Sequence, residues 1–260
     1  VLVTGALAVH WWATLYRPVD ADPPPTALTH ATVLVGEDLR PLTDATVLVD
    51  RGRIVAVGPA VDIPAGTRTI DLTGRTVIPG LIDLHVHLGS PDLARGERVG
   101  PTRIPGIIYD AVRYVPGTRR ALLDHGVTTV RALGDENQWI LEARQMLRDG
   151  EIEGPRVLTS GPLFTTRGGH PVATFGIEPT SDAVRLPTTP AQARRDVAAL
   201  LRGSGNRDGV DLVKVVQERG GPRKQLEPLP PDILAAIVAE AHAHGARVTA
   251  HWGTAEDLSD

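Results

Sequence analysis

The sequence has no cysteine among its 260 residues. A disulfide framework and thiolate metal ligation are both excluded, so any metal must be held by nitrogen and oxygen donors. Basic runs are missing as well: the formal net charge is −4, and charges of both signs are spread along the chain. Nothing here would track a nucleic-acid backbone or an anionic membrane surface, and no nucleic-acid partner is expected. A glycine-rich phosphate loop is also absent where a nucleotide-binding sheet would need one, because LHVHLGSPDL from Leu84 to Leu93 holds neither G-x-G-x-x-G nor a phosphate-loop lysine. A nucleotide site is therefore disfavoured. No internal repeat of solenoid type is found.

What is present divides into three stretches. The chain is long enough to bury a sizeable core as one large domain or two smaller ones. It starts at Val1, not Met, and VLVTGALAVHWWATLY is apolar apart from His10 and a few hydroxyls until Arg17 and Pro18. Such a run is short for a spanning helix but suits a signal-peptide core, with Val19-Asp20-Ala21 as the small-residue cleavage pattern. Export to a periplasmic or extracytoplasmic site is one expectation. A membrane anchor or a buried segment of a cytoplasmic protein are the others. Residues 1–27 are read as this segment followed by a stiff linker at Asp22 to Pro25.

Residues 28–78 carry ATVLVG, ATVLVD and GRIVAVG, β-branched runs punctuated by Gly, Asp and Pro. They predict a small β domain of antiparallel strands. From Pro79 to Asp260 the pattern changes to apolar strands alternating with amphipathic helices, which implies βα units and a parallel sheet. The strand candidates are LIDLHVH, VTTVRAL, RVLTSG, DLVKVV and RVTAH. Thr189-Pro190 reads as a helix start, and Gly150, Gly203 and Gly245 as helix ends. The fold class is α/β, and five strands suit either an incomplete (β/α)₈ barrel or an open doubly wound sheet.

His85 and His87 lie two apart at a strand end, so both imidazoles project from one face and can take two corners of a metal polyhedron. Two structural histidines would be the plain alternative. His242 and His244 share the spacing but fall on the last turn of a helix, where they diverge by about 200° and cannot share an ion. They read as helix C-terminal cations or solvated side chains. Lys214 sits on an apolar strand in phase with Leu212 and Val216. Burial would lower its pKa and free the amine for carbamate or Schiff-base chemistry, unless the stem bends its head to water. His251 ends the next strand in phase with Thr249 and could be another ligand, though alone it is unremarkable. Asp83 shares the inward face but lies deeper, as a supporting carboxylate rather than a ligand. Asp135 and Glu136 read as the N-cap region of a helix. TTRGGHPVATFG reads as a lid or substrate loop, in which His170 either orients a substrate carbonyl or carboxylate or is an exposed loop residue.

Taken together, P-G-L-I-D-L-H-V-H at Pro79 to His87, preceded by GRIVAVGP, resembles the metal-dependent amidohydrolase superfamily. The resemblance runs on through GVTTVRALGD at 126–135, GPRVLTSGPLFTTRGGHP at 154–171, DLVKV at 211–215 and AHAHGARVTAHWGTAEDL at 241–258. The nearest branch is similar to imidazolonepropionase-like and Xaa-Pro dipeptidase-like members. The resemblance implies a (β/α)₈ TIM-type barrel beside a small β-sandwich, and a pair of zinc ions. It implies that His85 and His87 bind the first metal, that carboxylated Lys214 bridges two, and that His251 binds the second. Small-molecule C–N bonds of amides, cyclic amides or dipeptides would be cleaved by metal-activated hydroxide.

The same family places a metal histidine after a sixth strand and a catalytic aspartate after an eighth, beyond the five strands read here. The sequence is accordingly expected to be an N-terminal fragment, inactive and aggregation-prone alone through its open sheet edge. Where the family often has an acidic residue after Val130-Arg131, this chain has Ala132. Two other classes stay open. One is a mononuclear deaminase-type hydrolase in which Lys214 is structural, and the other a non-catalytic scaffold relative.

Overall fold

The computed structural model describes residues 19–20, 22–89, 117–203 and 208–258. The expected signal or anchor segment before Pro18 lies outside these. Among the described residues no helix is long and apolar enough to cross a membrane. The described residues divide into two compact units, one ending at Leu81 and the other starting at Ile82.

The smaller unit is one sheet built from β1 (Thr26–Val35), β2 (Arg40–Asp50), β3 (Arg53–Gly58), β4 (Arg68–Asp71) and β5 (Thr76–Val77). Its order is β3-β2-β1-β4, with β5 also on β1. The β2–β3 hairpin turns through Arg51 (φ 46°) and Gly52 (φ 69°) with Asp50 opposite Arg53. Two consecutive positive φ angles give the turn whose twist matches that of the strands. The first three strands pair antiparallel as expected, but β4 and β5 run parallel to β1. Alternation buries Ala31, Val33, Ala45 and Val47 on one face, closed by Leu28, Leu42, Leu72 and Val77. At the register shift near Ala31, His30 (φ 56°) faces Asp44 (φ 50°), and their side chains pair at 2.8 Å.

The larger unit alternates strands and helices. It runs β6 (Leu81–Val86), α1 (117–124), β7 (Val127–Ala132), α2 (Asn137–Arg148), β8 (Arg156–Thr159), β9 (Leu163–Phe164), α3 (Val172–Phe175) and β10 (Val184–Arg185). It continues with α4 (Pro190–Arg202), β11 (Leu212–Val216), β12 (Gly220–Gly221), β13 (Lys224–Gln225), α5 (Pro231–Ala243), β14 (Arg247–His251) and a closing turn at Ala255–Leu258. Strand neighbours are β6-β7-β8 in one sheet and β10-β9-β11-β14 in another. β7 and β8 are parallel, as are all pairs of the second sheet. The two sheets meet where the Asp211 amide donates to Thr159 O at 2.8 Å. The five long strand candidates thus occupy β6, β7, β8, β11 and β14, in a mixed α/β arrangement with parallel pairing.

Helices α4 and α5 cover one face of β11. Val213 and Val215 point into a cluster with Ala193, Val197, Ile233 and Ile237, while Leu212, Lys214 and Val216 take the other face. Helix α4 starts where the sequence indicated: Thr189 accepts from the Gln192 amide at 3.2 Å, with Pro190 in the first turn. Helix α2 differs from expectation. Its N-cap position is Glu136, which makes no capping bond, and the Gln138 amide instead donates to Asp182 Oδ2 at 3.0 Å. A carboxylate far along the chain has replaced the local cap. Further along α2, buried Arg144 donates to Asp211 Oδ2 (2.7 Å) and to the carbonyls of Asp208 and Gly209 (2.8 Å each). Asp211 Oδ2 also accepts from the Thr159 amide at 2.8 Å.

Candidate metal centre

The first candidate donors come from β6. His85 is its penultimate residue and His87 follows the strand end; the rings stand 5.4 Å apart, tilted by 56°. The strand is held through its backbone. The His85 amide donates to Asp83 Oδ1 at 2.9 Å, and Arg131 Nε of β7 donates to Leu84 O at 2.8 Å. Asp83 therefore supports His85 from two residues upstream. Both residues keep much of their surface accessible, yet desolvation of the rings is the first cause that lowers each pKa, followed by the Lys214 charge. Both shifts favour the neutral imidazole, the form that ligates a metal.

Lys214 lies in the middle of β11 and is only 3% exposed. Its head does not bend out to solvent. Burial, helped by the Arg131 charge, pushes its pKa down to about 8. Among the described residues no hydrogen bond or ion pair to Nζ is found. A fraction of the amine is consequently neutral at physiological pH, with a free lone pair.

The third group gathers past the ends of β11 and β14. His251 closes β14, and its Nε2 lies 3.2 Å from Glu218 Oε2. His170 stacks on His251 with centroids 4.6 Å apart and planes 14° from parallel. Its Nδ1 is 2.7 Å from Thr174 Oγ1 and 3.9 Å from Glu218 Oε2. Burial, then the His251 charge, push the His170 pKa down to about 4, with Glu218 opposing. The turn that carries it is pinned, not loose: Thr165 Oγ1 donates to His170 O (2.7 Å) and Thr166 Oγ1 to Glu227 O (2.6 Å). Beside it a cavity of about 450 Å³ is lined by Thr174, Glu218, Gly220, Arg223, Lys224 and Leu226.

His85, His87 and His170 all feel the charges of Lys214 and His251, so the structure brings these five residues into one electrostatic neighbourhood. It leaves out His242 and His244, the latter pairing with Glu240 at 3.2 Å on its own helix. Asp135 does not cap α2 and turns instead to the backbone after His87. Glu218 was missed in the sequence, although it is four residues past Lys214 and so in strand phase with it. Among the described residues no three His, Asp or Glu side chains form a group able to hold an ion. The fit to a divalent metal therefore rests on the chemistry of the set: imidazole nitrogens, and a buried amine, unpaired among the described residues, that can become an oxygen donor. That set fits.

The sequence profile described as "Amidohydrolase family" matches residues 76–260. A dihydroorotase of Geobacter metallireducens is 30% identical over 135 residues, covering 48% of this chain and 32% of the relative. An imidazolonepropionase of Sphingopyxis alaskensis is 34% identical over 118 residues, covering 44% and 27% respectively. A prolidase solved with N-methylphosphonate-L-proline superimposes at a TM-score of 0.67 and 29% identity, over 90% of this chain and 57% of its own. The chain thus spans between a quarter and a third of the two curated relatives and somewhat over half of the solved protein.

Proposed function

The chain belongs to the amidohydrolase family, and on that premise we propose that it is part of a metal-dependent hydrolase that cleaves a C–N bond of a small amide, cyclic amide or dipeptide. The fold we assign to its larger unit is part of a (β/α)₈ barrel, whose strand ends form the site. The observation that carries the reading is Lys214: a buried lysine amine, on the inner face of a strand, in the electrostatic neighbourhood of four histidines.

His85, His87, His251 and Lys214 would hold the metal. A divalent ion, when bound, supplies a Lewis acid for the carbonyl and makes water acidic enough to be a nucleophile near neutrality. Lys214 would add carbon dioxide through its neutral amine: the nitrogen lone pair forms an N–C bond while one C=O π pair of carbon dioxide moves onto oxygen, and an N–H proton leaves to solvent, so that an anionic carbamate with two oxygen donors replaces the amine. In the tautomer with its proton on Nε2, His251 donates to Glu218 Oε2, and its Nδ1 lone pair is left for a metal. His170, uncharged above about pH 4, presents a hydrogen bond instead of a charge to the substrate carbonyl or carboxylate. The cavity beside it, with Arg223 and Lys224 in its lining, is where the rest of the substrate would lie.

The test is metal titration with Zn²⁺ or Co²⁺, followed by hydrolysis assays on dipeptides and cyclic amides with the metal-loaded protein. A Lys214→Ala variant should lose part of its metal, and a small carboxylic acid should restore some of it. Unchanged metal content in a His85→Ala, His87→Ala double variant would remove the reading.

A further inference from the structure

Asp135 has no role in the chemistry above, yet it is a carboxylate only 4% exposed, with no cation paired to it among the described residues. Burial pushes its pKa up, so the position is costly for an acid. Its oxygens face two backbone amides. Oδ1 accepts from Gly89 N at 2.9 Å and Oδ2, at a longer 3.5 Å, from Leu88 N. Both amides belong to the residues directly after His87.

Three neighbours reinforce the same junction. Leu88 is 3% exposed and packs with Val130, Ala132, Ile140 and Val157, so its side chain is anchored while Asp135 takes its amide. Gly89 lies under the Trp139 ring so closely that an added Cβ would sit 2.8 Å from Cζ3. Gly134, at φ +113°, holds a backbone conformation that side chains rarely adopt, and a Cβ there would stand 2.8 Å from Leu163 Cδ2, with His87 Cε1 at an ordinary contact distance of 3.6 Å. The turn after β7 is thus shaped around the end of β6. A strand end followed by free backbone would let the His87 imidazole swing; fixing the next two amides removes that freedom before an ion arrives.

We propose that Asp135 is a positioning residue for the metal site, holding His87 in its ligating pose through the Leu88 and Gly89 amides. The proposal rests on His85 and His87 being metal ligands.

The experiment titrates the purified chain and its Asp135→Ala and Asp135→Asn variants with Zn²⁺, and with Co²⁺ for its absorption spectrum. Amide exchange at Gly89 is read in the metal-free proteins. Asp182→Ala, which strips the cap from α2, serves as a stability control. Asp135→Ala should weaken metal binding by roughly 10- to 100-fold, as losses of supporting contacts behind a ligand do. Asp135→Asn, which keeps one acceptor, should weaken it less. The Co²⁺ spectrum should change in Asp135→Ala and not in Asp182→Ala. Wild-type affinity in Asp135→Ala, or a loss no larger than that of the stability control, would overturn the proposal. If the wild-type chain binds neither ion, the ligand reading fails and the positioning role fails with it. Gly89 exchange then still separates the two: faster exchange in Asp135→Ala shows that the clamp exists without a ligand to hold.

Discussion

β11 and β6 hold their candidate donors by opposite means. Every residue of β11 is buried, and the strand is paired on both sides, with β9 and β14. β6 lies at the end of its sheet and leaves Ile82 62% and Leu84 59% exposed. On β11 the surroundings act on the side chain itself, and a lysine there changes its chemistry. On β6 packing is thin, and the histidines depend on hydrogen bonds to the backbone: Asp83 and Arg131 each secure one point of the strand, and Asp135 the two amides that follow His87. A buried strand tunes a functional group, whereas an exposed one has to be held in place.

The strongest way to break this comparison is to truncate each side. Phe164 and Ile237 are fully buried around β9 and β11, so Phe164→Ala should cost about 3–5 and Ile237→Ala about 2–5 kcal/mol in urea denaturation. Ile82→Ala on β6 should stay within about 0.5 kcal/mol. A large loss at Ile82 would mean that β6 is packed after all.

The next effect is in pH. The metal-free folded chain gives up the Lys214 proton near pH 8, the unfolded chain near 10.5. Between these values the unfolded state binds more protons, so stability rises with pH across that window. Lys214→Met should flatten the rise, read as the difference between the two denaturation curves; identical curves would place the amine in water.

Asp83→Ala should cost about 0.5–1.5 kcal/mol, the worth of one hydrogen bond, with a faster-exchanging His85 amide as its signature. The smallest effect lies in the other unit, at the exposed His30–Asp44 pair. Asp44 raises the His30 pKa first through their hydrogen bond and then through its charge. Its stabilisation is present below the ordinary value of 6.5 and lost as pH rises through the raised one. An NMR titration should show His30 titrating high, and Asp44→Asn should bring it back; stability should hardly move.

Much of this was legible in the sequence, and the reason is periodicity. The strand of Lys214 declared itself by an apolar run, and the two-residue period assigned Lys214, Leu212 and Val216 to one face. The pairing of β4 and β5 with β1 was not legible, since nothing local distinguishes a parallel from an antiparallel partner in so short a run. Asp135 was read as a helix cap because its neighbours in sequence suggested one. The amides it serves lie 46 and 47 positions away, and no local signal reports them. Glu218 did leave a signal, in its phase with Lys214. His251, its partner, is 33 residues further on.

Arg144 has a consequence for how the molecule opens. It joins the helix after β7 to the residues entering β11, and through Asp211 to the amide of Thr159 on β8. Asp211 lies 67 positions beyond Arg144 and 52 beyond Thr159, so the helix cannot detach by itself without stranding a buried charge. The three pieces should therefore share one rate of amide exchange and form a single cooperative unit. Lysine in place of Arg144 would be a poor substitute, since one ammonium cannot span the carboxylate and both carbonyls. It should split that shared rate into separate ones.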